Sequence, residues 1–338
     1  MMMDQERIGY LDLARGFCIC IVMLFHIVGI LQWEFPGDRA LFSSFMLPPF
    51  FFISGFLYKE EDSIRTFFIK KVNRLLVPFL FFYLITSVII PNVLHYAAGM
   101  DFDTVAGIKS LWAFVWPGVY PNVPLWFLWC LFLVSLLFRL IHHISRRFSG
   151  QTRKIVLTVA CFCLAFPAYV ADYYDTPDVA CLIKTLIYLP FFCVGFDSRD
   201  FLTDNQTKAG TAVKTLRLIT CFLVALLPLL LYGVDVMVDA VLFYISGLAG
   251  SFFVVSFSSL INRLPVISYL GRNSIVIILT HGLLIRLMAP AVIKLSGYIG
   301  PFGAISLCWL TMTLSYLLIT PVILRLLPRF TGQKPLLK

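Results

Sequence analysis

His26, Arg15 and His281 are the side chains whose chemistry most needs an explanation, because each lies within or at the edge of a long apolar run. An ionisable group inside a bilayer costs about 2.5 to 3.5 kcal/mol on insertion scales, and it faces a cavity or a partner. Arg15 and His26 are eleven residues apart. On a helix that spacing returns to within about 20° of one face and rises about 16 Å. The pair suits an elongated substrate, with an anionic head held by Arg15 at the membrane rim and a reactive end at His26. An imidazole with an ordinary pKa of about 6.5 can take a proton from a hydroxyl and return it to a leaving group. Acyl-coenzyme A has this shape and charge.

Other polar residues extend the pattern. His281 lies two turns after Ser274 on the same helix face, and Arg272 and Asn273 mark the start of that segment. Lys70, Lys71 and Arg74 open another apolar run and could bind coenzyme phosphates through charge-assisted hydrogen bonds. Bland readings compete with these. Either histidine could serve as a helix-packing contact, and the basic cluster could simply follow the positive-inside rule. Asp12, one turn before Arg15, is placed to pair with the guanidinium. Lys184 is expected to reach Asp172, Asp175 or Asp178, and Arg286 to snorkel outward.

The elements that position these residues follow from composition. The 338 residues are 60% hydrophobic and 13% charged, against roughly a quarter charged in soluble domains. Runs of about twenty apolar residues suit a hydrocarbon core about 30 Å thick, and such runs lie near 15–32, 41–58, 75–96, 124–142, 155–171, 179–197, 215–233, 237–261, 265–289 and 302–325. The expected architecture is all-α: a polytopic integral membrane protein with a bundle of about ten transmembrane helices. The first run has Asp12 and Arg15 at its start and no small-residue cleavage pattern, so it reads as a retained helix.

Lys and Arg alternate between loops as the positive-inside rule requires. They cluster at 59–74, 139–154, 199–217, 263–272 and 325–338, while the intervening loops hold only Arg39, Lys109 and Lys294. Both termini are therefore expected on the cytoplasmic side of the inner, or plasma, membrane. The net charge of +9 is dispersed over these loops, which speaks against a nucleic-acid partner. The nine cysteines fall in apolar stretches without a C-x-x-C pair and read as small hydrophobes, neither disulfides nor metal ligands. The polar connections 97–123 and 197–214 are too short for a core of their own, so one transmembrane domain over 1–338 with no appended soluble domain is expected. The aromatic-rich 97–123 segment could cap an outward cleft. Pro49–Phe56 is loosely echoed at 190–196, and Ile-Ser-Gly recurs at 245–247, a weak hint of a repeat.

Five landmarks occur in order: Leu11-Asp12-Leu13-Ala14-Arg15-Gly16 followed by His26; Phe50 to Phe56; Arg74-Leu75-Leu76-Val77-Pro78; Leu125-Trp126-Phe127-Leu128; and Leu270-Gly271-Arg272-Asn273-Ser274 leading to His281. In these the chain resembles the acyltransferase type 3 family, multi-spanning enzymes that O-acetylate polysaccharides and related glycans. Two positions depart from its pattern: Lys71 stands where an Arg is frequent, and Ile278 where a Tyr often precedes the late histidine. The resemblance implies that His26 and Arg15 are essential to acyl transfer, that the basic opening of the third helix helps bind an acyl-CoA co-substrate, acetyl-CoA foremost, and that His281 shares the central cavity. It implies a carbohydrate acceptor, membrane lipid as surroundings and no metal; association into a homo-oligomer stays open. The rival reading is a transporter of a glycan, lipid or small anion, a class often built from inverted repeats. An inactive relative docking in a glycan pathway is a third.

Overall fold

The computed structural model describes residues 9–32, 44–61, 63–99, 122–202, 210–231 and 235–337, and these are helical with no strand among them. Eight helices among the described residues are long and apolar enough to cross a membrane. The last, Ser274–Leu326, contains a break at Gly300 and so carries two successive segments. The short helix Pro48–Phe56 is buried along nearly all its length. The expected polytopic all-α bundle is therefore what the chain forms, and the helix count of about ten is approximate. Of the cap expected at 97–123, residues 100–121 lie outside the described residues.

We name the helices α1 (Gly9–Ile30), α2 (Pro48–Phe56), α3 (Ile64–Lys71), α4 (Val77–Tyr83), α5 (Ile90–Ala98), α6 (Trp126–Ser145), α7 (Gly150–Tyr173), α8 (Leu182–Asp197), α9 (Thr211–Ala225), α10 (Val236–Ile261), α11 (Pro265–Arg272) and α12 (Ser274–Leu326). At the centre, α1 packs against α10, α11 and α12, while α8 packs against α2, α6 and α7.

Three local departures from the expected runs have identifiable causes. Helices α3, α4 and α5 form one rod joined by π-helical turns at Val72–Leu76 and Leu84–Ile89. Pro78 and Pro91 follow these turns. A proline ring lacks an N–H and clashes with the carbonyl four residues earlier, so the backbone widens there. The run expected at 265–289 breaks at Asn273, whose side chain donates to the Tyr269 carbonyl at 2.9 Å. The outward loop expected before 302 is instead helical as far as Gly300, which turns with φ 74°. Only glycine takes that angle readily, and Pro301 then suits the start of the next helical segment.

Glycines set the tightest crossings. A β-carbon on Gly16 would meet the Ile267 backbone, and one on Gly271 would meet Asp12 and Gly16, so α1 and α11 touch backbone to backbone. Gly55 lies on the Phe192 backbone and Gly195 on that of Phe52, a reciprocal crossing of α2 and α8. Gly247 sits against Phe191 and Pro48. The echoed segments 49–56, 190–196 and 245–247 thus converge on one another in the bundle. Phe51 stacks on Tyr188 and Tyr58 meets Phe196 further along, so α2 and α8 run parallel.

Candidate active site

The structure brings two of the three expected catalytic residues together. His26 on α1 and His281 on α12 have ring centroids 5.3 Å apart. Both line a cavity of about 240 Å³ walled by Met46, Phe50, Trp126 and Phe127. Close packing of α1 with α11 and α12 produces this meeting, since the glycine contacts leave no room for side chains between α1 and α11.

The state of the His281 ring follows from its partners. Its Nδ1 lies 2.6 Å from the Ile277 carbonyl. A carbonyl only accepts, so Nδ1 carries the proton and donates it. Nε2 is then a bare lone pair, and this buried atom has no hydrogen-bond partner in the structure. A buried polar atom without a partner costs about 1 to 3 kcal/mol, and here it belongs to a residue lining the cavity. A ring fixed by its own helix backbone with one nitrogen unsatisfied is suited to receive a donor from a ligand or a neighbour.

Asn122 holds the site from behind, and sequence reasoning did not identify it. Its Nδ2 donates to Thr86 Oγ1 at 2.7 Å and to the Leu279 carbonyl at 2.9 Å, and its backbone N–H donates to Ser87 Oγ at 3.3 Å. Thr86 and Ser87 lie in the second π-helical turn, so the widening before Pro91 presents both hydroxyls inward. Gly282 leaves space for this arrangement: a methyl there would come within 2.8 Å of Pro124 and 3.3 Å of the Asn122 amide carbon. The same short stretch continues into α6, which supplies Trp126 and Phe127 to the cavity. The signal that could have found it is the Asn-x-Pro that opens an apolar run.

Arg15 sits elsewhere, at the end of α1 that crosses α11. Asp12 is 4% exposed, and its carboxylate lies 4.0 Å from Arg15 Nη1 and 3.6 Å from Arg272 Nε. The expected pairing of Asp12 with Arg15 is present, and Arg272 joins it from the last of the five landmarks. This three-residue arrangement ties α1 to α11 and keeps two guanidinium groups at one rim.

The basic cluster has its own surroundings. Lys70 pairs with Glu61 at 2.7 Å, Lys71 lies over the Phe67 ring at 5.5 Å, and Arg74 is exposed. Asn73 between them binds the C-terminal segment. Its Nδ2 donates to the Leu337 carbonyl at 2.9 Å, while its Oδ1 accepts from the N–H groups of Leu336 and Leu337 at 2.7 and 2.8 Å. Phe330 stacks on Phe81 with centroids 4.0 Å apart. The ties of this cluster thus run to Glu61, Phe67 and the C-terminus, and those of Arg15 to Asp12. Lys184 reaches Asp178 at 3.2 Å and Asp172 at 3.6 Å, two of the three carboxylates expected.

Among the described residues no group of His, Cys, Asp and Glu could hold a metal. Neither the curated proteins nor the solved structures gave a match to the chain. A protein-family model described as "Acyltransferase domain" matches residues 8–320, nearly the whole length. The match spans both histidines, both guanidinium groups at the α1–α11 crossing and the helices that carry them, so the chain belongs to this acyltransferase family and is a membrane protein that transfers acyl groups other than aminoacyl groups.

Proposed function

We propose that the chain moves a short acyl group, acetyl foremost, from acyl-CoA to a hydroxyl of a cell-surface or lipid-linked carbohydrate. In this reading it lies in the plasma membrane with both termini on the cytoplasmic side, where the Lys- and Arg-rich loops cluster. The observation that carries it is the pair of imidazoles 5.3 Å apart at a cavity of about 240 Å³. Such a cavity favours a small acyl group beside one hydroxyl over a long acyl chain.

His26 acts as the general base. It takes the proton of the acceptor hydroxyl as that oxygen forms a bond to the thioester carbonyl carbon. The carbon–sulfur bond then breaks, and His26 returns the proton to the departing thiolate, leaving an ester and free coenzyme A. His281 is fixed by its bond to Ile277. In the reacting complex, rotation of the tilted His26 ring, 5.3 Å away centroid to centroid, brings its N–H onto this unpartnered His281 Nε2. That leaves the opposite nitrogen of His26 bare toward the hydroxyl, the logic of a base oriented by a third group.

Arg15, with Lys70, Lys71 and Arg74, holds the donor's phosphates. Exposed ion pairs such as Lys70–Glu61 are worth roughly 0 to 1 kcal/mol, so a phosphate can displace the carboxylate at little cost. Titration calorimetry with acetyl-CoA on lipid-reconstituted protein tests this. Arg15→Ala and the pair Lys71→Ala/Arg74→Ala should each weaken binding about tenfold or more, as loss of a charged hydrogen-bonding group does. Wild-type affinity in both variants would remove these residues from the donor site.

A further inference from the structure

A second cavity, of about 370 Å³, opens between α9 and α10. On α9 its wall is Lys214, Arg217, Leu218 and Cys221. These residues recur at intervals of three and four and so form one stripe of the helix. On α10 the facing stripe is Phe252, Ser256 and Ser259. The two stripes are sorted by chemistry in the same sense along the cleft. Cations and hydroxyls stand at one end beside Phe201, Leu202 and Leu260, and Leu218, Cys221 and Phe252 line the deeper part.

Next to Cys221 and Phe252 in the chain, Phe222 and Phe253 make ring contacts with each other and with Phe45 at 5.2 to 6.4 Å. Lys214 and Cys221 are seven residues apart, so the cleft runs about 10 Å along the helix axis. Arg217 lies over the Phe201 ring at 5.2 Å, which holds the guanidinium at the mouth. Elsewhere on α9, Leu216, Ile219 and Leu223 are exposed, as a helix in contact with lipid requires.

We propose that this cleft binds an anionic glycerophospholipid, its phosphate between Lys214 and Arg217 and the first carbons of one chain against Leu218, Cys221 and Phe252. Charge complementarity favours an anionic headgroup, and the apolar depth favours an amphiphile over a free phosphate. The site is separate from the histidine cavity, which is walled by other residues. Basic pockets between membrane helices are established places for lipid headgroups.

Native mass spectrometry of purified protein, offered phosphatidylglycerol and phosphatidylcholine with identical chains, tests the proposal. Each cation near a headgroup changes affinity about fivefold, so two change it about 25-fold. Wild type should retain phosphatidylglycerol in preference to phosphatidylcholine by about that factor. Lys214→Gln/Arg217→Gln should bring the preference close to unity. Ser256→Trp, which fills the cleft and keeps both cations, should lower retention of both lipids. Equal retention of the two lipids by wild type, or an undiminished preference in the double variant, would overturn the assignment. So would undiminished retention by Ser256→Trp. Displacement of the lipid by millimolar inorganic phosphate or coenzyme A would instead make the cleft a phosphate site and overturn the lipid reading.

Discussion

Replacing Gly16 by alanine should damage activity without touching any polar group of the site. A methyl at this position would stand 2.8 Å from the Ile267 carbonyl carbon and 2.7 Å from its Cγ2, and closer still to the carbonyl oxygen. Ordinary contact begins near 3.4 Å, so the α11 backbone has to retreat by at least 0.6 Å. Nothing flexible can absorb the change, because the obstacle is main chain. Overpacking of this kind costs about 1 to 3 kcal/mol. The retreat also pulls Arg272 from Asp12 and, through Asn273, shifts the start of α12 that carries His281. Misplacement of a reacting group by about 1 Å can cost a hundredfold in rate, so Gly16→Ala should lose about 10- to 100-fold. Hydrolysis of radiolabelled acetyl-CoA in nanodiscs, with thermal unfolding followed in parallel, measures both effects. Gly297→Ala is the control, since a methyl there meets nothing within 4 Å. If Gly16→Ala unfolds at the wild-type temperature and turns over within twofold of wild type, the close crossing does not position the site.

Three further outcomes follow from the contacts described. Asn122→Leu removes the donors to Thr86 and Leu279 and leaves two buried acceptors unsatisfied, which should cost about 2 to 6 kcal/mol in total at 1 to 3 per group; chemical denaturation measures this, and the turnover number should fall more than the affinity for donor. Lys184→Met should shift stability by less than about 1 kcal/mol, because its bridges to Asp172 and Asp178 are partly exposed, and should leave donor turnover unchanged. Asn73→Ala releases three hydrogen bonds to Leu336 and Leu337, so the C-terminus should become sensitive to limited proteolysis while the membrane helices stay intact; an unchanged cleavage rate would show that this docking is not what holds it.

Much of the bundle was legible because the membrane imposes a length on apolar runs, and most of the expected runs lie on the long helices, the one at 41–58 meeting the short helix Pro48–Phe56 instead. Arg15 and His26 were legible for a related reason, as few ionisable residues enter those runs and the two share a helix face. Lys184 could be matched to Asp172 and Asp178 because all three lie within a few turns of the connection between α7 and α8. What hydropathy could not reveal was any change of direction made inside an apolar stretch. The sharp turn at Gly300 follows the apolar Ile299, and the break at Asn273, although Arg272 and Ser274 flank it, falls inside the single run read at 265–289. The π-helical turns need Pro78 and Pro91 to be weighed against the carbonyls they displace. Asn122 escaped notice because its partners are 36 and 157 positions away, a distance that local patterns do not span. The Ile-Ser-Gly echoes were visible as a repeat, but their meaning, three glycines admitting neighbouring helices, needed the packing.

In the proposed reaction His26 performs the proton transfers and His281 orients it. The most direct measurement is turnover of radiolabelled acetyl-CoA by lipid-reconstituted wild type, His26→Ala and His281→Ala, with donor binding measured on the same samples. This reaction requires that both variants bind donor as wild type does, that His26→Ala loses about 10²- to 10⁴-fold in turnover, the range expected for a positioned acid–base group, and that His281→Ala loses a smaller factor. Wild-type turnover in His26→Ala, with donor still bound, would contradict it.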